Sequence, residues 1–182
     1  MCRADILEEL GYKAEDIKNF DDIEEVLKKC QEVHPELYPM IPSDLNNGCF
    51  LNYVKGEFDV VTSGVGVDID DDASDGITVI NTYDTEKYKE MAEKAYDWNQ
   101  KGYFMPDSTT NTTTRQDLFR ANTAFSYYGN QHPGTATQET MNSGKEIVSI
   151  PIGRSTISTS SVNFCQWAIP AHARTRKKLL QS

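Results

Sequence analysis

The chain has 182 residues, 38% of them hydrophobic and 25% charged, a balance that suits a folded chain rather than a disordered one. No apolar run approaches the roughly 20 residues that a membrane-crossing helix needs. The formal net charge is −10, with −15 over the first 107 residues and +5 over residues 108–182, and so negative a first part argues against nucleic acid and anionic lipid as partners.

The opening Met1-Cys2-Arg3-Ala4-Asp5 carries no hydrophobic signal region. Ala4 to Leu10 reads as a short helix with Ile6, Leu7 and Leu10 on one side and Gly11 placed to end it. A second helix is expected from Phe20 to Val33, capped by Asn19 with Asp22 three residues on. Its Ile23, Val26, Leu27 and Cys30 follow the i, i+3, i+4, i+7 spacing of one buried face, and His34-Pro35 stops it. Leu37 to Ile41 reads as a short strand closed by Pro42. Further on, Phe58 to Val61 suits a strand, Gly64-Val65-Gly66 a turn, Asp68 to Gly76 an acidic loop and Ile77 to Ile80 a second strand.

The longest helix is expected over Thr85 to Lys101, with Asp84 as its cap. Tyr88, Met91, Ala92, Ala95 and Tyr96 supply its apolar side, Trp98 flanks that side in a packing position, and Gly102 ends it. A polar, threonine-rich connection at 106–114 leads to a short helix at Asp117–Ala121 and a strand at Thr123–Tyr128. The loop Gly129–Gly134, a short helix around Thr135–Met141, a strand at Ile147–Ile150 and an extended stretch at Val162–Ile169 complete the order. Helices alternating with short strands predict an α/β fold, a mixed sheet flanked by helices.

Several chemical motifs fail on their own terms. Asp68, Asp70 and Asp72 fall on positions one, three and five of a calcium loop, but Ala73 replaces the turning glycine and Val79 the closing glutamate. The Gly64-Val65-Gly66 pair lacks the third glycine of a dinucleotide fingerprint. No phosphate-binding loop, nucleophile elbow or zinc-protease motif is present, and the cysteines at 2, 30, 49 and 165 form no metal-type pair. His34, His132 and His172 are far apart in the chain. The reading is therefore of a binding protein, not an enzyme, without metal or cofactor.

Polar and aromatic residues gather instead at strand ends. Tyr127-Tyr128-Gly129-Asn130-Gln131-His132 follows a strand directly, and Asn163-Phe164-Cys165-Gln166-Trp167 lies in an extended segment. Open α/β sheets collect ligands at the carboxyl ends of their strands. Aromatic faces packed on sugar C–H surfaces, with amides bonding the hydroxyls, make such a set fit for a neutral sugar. Tyr128, Asn130, Gln131 and Trp167 are the candidate ligand contacts, whereas Tyr127 faces the other way along its strand and is expected to pack. Packing with a satisfied polar tip is the competing role for each of these rings.

Taken in order, the segments resemble an extracellular solute-binding protein of the carbohydrate ABC-importer type. Arg3-Ala4-Asp5 through Gly11 is similar to that family's R-x-D opening, Lys101-Gly102 through Asp107 to its turn after a helix, and Asp117 through Phe125 to its F-x-x-G pattern with Asn122 at the glycine. Gln166-Trp167-Ala168-Ile169-Pro170 is similar to the segment that returns to the other lobe, and Gly66 through Asp72 to a Gram-positive lipoprotein branch.

The resemblance implies a type II periplasmic-binding-protein lobe over residues 1–182, with 172–182 starting a C-terminal helix, and a missing N-terminal lobe. It further implies a carbohydrate ligand held between the lobes, permease subunits in the membrane, a monomer, and an extracellular lipoprotein whose anchor is absent here. The same fold could serve a surface interaction module or a binder of peptides or amino acids.

Overall fold

The computed structural model of the chain describes residues 1–43, 58–62, 64–69, 76–129 and 131–152. In chain order these form β1 (Cys2–Arg3), α1 (Ala4–Glu9), α2 (Phe20–Val33), β2 (Tyr38–Ile41), β3 (Phe58–Thr62), β4 (Val65–Asp68) and β5 (Val79–Asn81). They continue with α3 (Glu86–Gln100), α4 (Arg115–Arg120), β6 (Ala124–Tyr127), α5 (Thr135–Ser143) and β7 (Ile147–Val148).

The result is the mixed α/β fold expected, with the described strands arranged in two sheets. The larger runs β2-β6-β1-β7; β2 is parallel to β6, and β1 is antiparallel to both of its neighbours. The smaller sheet, β3-β4-β5, is antiparallel throughout.

Local chemistry accounts for most element ends. The Asn19 side chain accepts from the amides of Asp21 and Asp22, and the Asp22 carboxylate accepts in turn from the Asn19 amide, a complete capping box at the start of α2. At α3 the cap is Thr85, which accepts from the Tyr88 amide, and not Asp84, which lies in the preceding 3-10 turn and bonds Asn81. The hydroxyl one residue later wins because its own backbone is extended while the helix begins at Glu86.

The α3 apolar side also differs from expectation. Met91 and Trp98 are buried while Tyr96 stands 69% exposed, so the stripe runs through Trp98 instead. Gly64, at φ +75°, leads into β4, to which Val65 and Gly66 already belong, so these two residues are strand and not turn. Asp68 closes that strand and pairs with Lys87 at 3.2 Å, so it is not part of a loop; residues 70–75 lie outside the described set.

Among the described residues, buried side chains form two clusters. The larger joins Ile6 and Leu7 of α1, and Leu10 just after it, to Val26, Leu27 and Cys30 of α2, with Met40, Trp98 and Phe125 among the others. The smaller contains Ile41, Leu118, Phe119, Ala124, Tyr127 and Ile147. Burial pushes the Cys2 and Cys30 thiols up to about 11 and about 12, which makes them packing groups rather than nucleophiles.

Arg3, only 4% exposed, is held by Asp5 on one side and the Asn122 amide oxygen on the other. Asn122 occupies the left-handed region at φ +61° in the turn that launches β6. The arginine therefore ties the first strand to the turn that sets the start of the candidate site's strand.

Candidate ligand-binding site

β2 and β6 run side by side in the same direction, with Ile41 opposite Tyr127, so their carboxyl ends leave the sheet together. Beyond those ends the chain continues through Pro42-Ser43 and Tyr128-Gly129. A Cβ placed on Gly129 would come 3.2 Å from the Ser43 Cβ and 3.6 Å from the Tyr127 ring, so the two exits are packed against each other. Glycine is what permits that approach.

The two tyrosines part as alternation along a strand predicts. Tyr127 is buried, in the smaller cluster, with its ring 6.1 Å from that of Phe119. Tyr128 is half-buried at the edge of the larger cluster, 6.0 Å from Phe20, which in turn lies 6.2 Å from Trp98. Gln131 is exposed, and its side-chain amide donates to the Gly129 carbonyl at 3.0 Å. The structure thus brings Tyr128 and Gln131 onto one loop at the end of β6. Asn130 and Trp167, the other two candidate contacts, lie outside the described residues.

A polar group that the sequence reading did not single out stands beside this loop. From the first residue of α4, Arg115 donates to the Ser43 carbonyl and places its guanidinium carbon 5.0 Å from the Tyr127 ring centre. Its Nη2 lies 2.7 Å from Oε1 of Glu139 on α5. The Glu139 side chain is 3% exposed, and both of its oxygens also accept from the Gln116 amide at 3.1 and 3.2 Å. Each of these residue types is ordinary on a helix. Only the fold shows that two oppositely charged ones, 24 positions apart, meet under the loop.

Among the described residues no three His, Cys, Asp or Glu side chains come together as a metal ion would require. Among the described residues, too, no helix is long and apolar enough to cross a membrane. His132 is exposed on the loop and bonds Thr135 through its backbone.

Comparison with solved structures places this geometry in a known fold. The N-glycan transport solute binding protein (NgtS) of Streptococcus pneumoniae superposes over 83% of this chain with a TM-score of 0.64 and 20% identity. The same protein in complex with Man5GlcNAc matches over 88% with a TM-score of 0.68, and in complex with Man1GlcNAc over 80% with 0.59. The chain has the fold of part of a solute-binding protein. It spans about a third of the length of those neighbours, 31–34% of each. Neither a protein-family model nor a curated protein sequence matches it. The neighbours named are binding proteins rather than enzymes, and at this identity the likeness speaks for the fold alone.

Proposed function

We propose that the chain is one lobe of a solute-binding protein that captures a sugar or oligosaccharide and delivers it to an ABC importer. The observation that carries this reading is the Tyr128–Gln131 loop at the joined carboxyl ends of β2 and β6, in a fold like that of a glycan-transport binding protein. A half-buried ring fixed on one side by Phe20, next to an exposed amide, offers an apolar face and a hydrogen-bonding group to the same ligand.

On this reading residues 1–182 are a single lobe, and the ligand sits between it and a second lobe that closes over it by a hinge. Tyr128, Asn130, Gln131 and Trp167 are its contacts. The partners are the carbohydrate and the permease subunits. The whole protein works as a monomer at the cell exterior, anchored as a lipoprotein, and carries out no catalysis.

The test is calorimetric titration of the whole two-lobe protein with mannose-containing oligosaccharides, including Man5GlcNAc, and in parallel with shorter sugars, peptides and amino acids. Saturable heat with a sugar, weakened about tenfold by Tyr128→Ala, supports the proposal. Silence with every sugar, or heat only with peptide or amino acid, refutes it.

A further inference from the structure

We propose that the Arg115–Glu139 pair positions the ligand loop, so that it governs sugar affinity without touching the sugar. The inference rests on the reading above, that the loop after β6 holds the ligand. Its physical basis is where the pair sits and what a buried ion pair costs.

The loop from Tyr128 to Gly134 is anchored at one end by β6 and at the other by α5. Arg115 reaches both anchors. It bonds the Ser43 carbonyl, against which Gly129 is packed, it covers the Tyr127 ring that precedes the loop, and it holds Glu139 in the middle of the helix that follows. Gln116 then fixes the same carboxylate from the neighbouring position of α4. Two strand exits and two helices are thereby joined through one planar guanidinium, whose donors are arranged in a rigid fork.

An ion pair in this position is a poor source of stability. Taking a carboxylate to 3% exposure carries a desolvation cost that an apolar pair of the same volume would not. What the charged pair supplies is direction: a guanidinium bonded to a carbonyl and a carboxylate at once admits one loop geometry, whereas leucine against methionine admits several. Binding sites lose affinity when such support leaves their contact groups even slightly loose.

Arg120 provides an internal comparison. It too links α4 to α5, through Asp117 and the Asn142 carbonyl, but at the far end of α4 and away from the strand exits. A substitution there loosens the helix pair without releasing the loop.

The experiment uses the whole protein, with Man5GlcNAc and the rest of the sugar panel as probes. Affinity and thermal unfolding midpoint are measured for wild type, Arg115→Lys, Glu139→Gln, the double variant and Arg120→Lys. The expected result is about tenfold weaker binding for Arg115→Lys and for Glu139→Gln, with the double variant no weaker than the worse single one because both belong to one device. Arg120→Lys keeps wild-type affinity even where its unfolding midpoint falls.

If Arg115→Lys does not fold, the near-isosteric Glu139→Gln decides alone. Affinity within twofold of wild type for the folded variants, or an equal loss in Arg120→Lys, overturns the positioning role while leaving the receptor reading intact. A wild-type protein that answers no sugar overturns both.

Discussion

Trp98 offers a sharp test of how the described core is held. It is 0% exposed, with the rings of Phe20, Tyr103 and Phe104 each 6.2 Å away, and its indole N–H donates to Glu24 at 2.9 Å. Truncation to alanine removes the largest fully buried side chain among the described residues. Such losses cost about 3–5 kcal/mol, a large share of the ~5–15 kcal/mol by which domains are stable.

Trp98→Phe keeps a ring among its aromatic neighbours and deletes the donor. A hydrogen bond to a charged group contributes about 1.5–3 kcal/mol when buried. Here the Glu24 side chain is 25% exposed and retains Lys101, so the bond is placed at about 1 kcal/mol. Lost ring atoms add about 1 kcal/mol more. Urea unfolding followed by far-UV circular dichroism measures both variants. Glu24→Gln should then cost less in the Trp98→Phe background than in wild type, by ~0.5–1 kcal/mol of coupling. A Trp98→Ala loss under about 1 kcal/mol, or an identical Glu24→Gln cost in the two backgrounds, would refute the account.

Three further outcomes are expected. Asn19→Ala removes the capping-box acceptor of α2 and should lower stability by about 1 kcal/mol, read from the same urea curves. Gly64→Ala meets both a φ of +75° and the Tyr83 ring, 2.5 Å from the added carbon; a loss of about 1–2 kcal/mol for the backbone alone is expected, with amide exchange accelerating in β3 and β4. The hydrogen bond from Arg3 holds the Asp5 carboxyl below its ordinary range, against the opposing effect of burial. The native state therefore binds fewer protons there than the unfolded chain does. Asp5's contribution is complete above the unfolded-state value and is lost as pH falls through the lowered one. Asp5→Asn should flatten the acid limb of a plot of urea midpoint against pH, and an unchanged limb would contradict the pairing.

Features decided within a few residues were legible in the sequence. The bounds of α2 follow from Asn19, Asp22 and a clean apolar period, and the observed helix spans Phe20–Val33 as expected. Where two local signals competed, the sequence was ambiguous: Asp84 and Thr85 are both capping residues, and Tyr96 and Trp98 both adjoin the stripe of α3. β1 escaped notice because two residues have no period; they are a strand only by virtue of partners at Ser126, Ile147 and Val148. At the candidate site, the run from Tyr128 to Gln131 was readable as polar-aromatic sequence after a strand. The Arg115–Glu139 pair was not, since nothing near either residue announces the other.

The place of β1 in the larger sheet has a consequence for how the molecule assembles. Its two residues, Cys2 and Arg3, are more than 100 positions away from β6 and β7 yet lie between them. Helices α1 and α2 can form early from local signals, but this sheet cannot close until the whole stretch from Cys2 to Val148 has been made. Until then the apolar sides of those helices have only part of their cover, so a chaperone that shields early hydrophobic surface would have its longest task here.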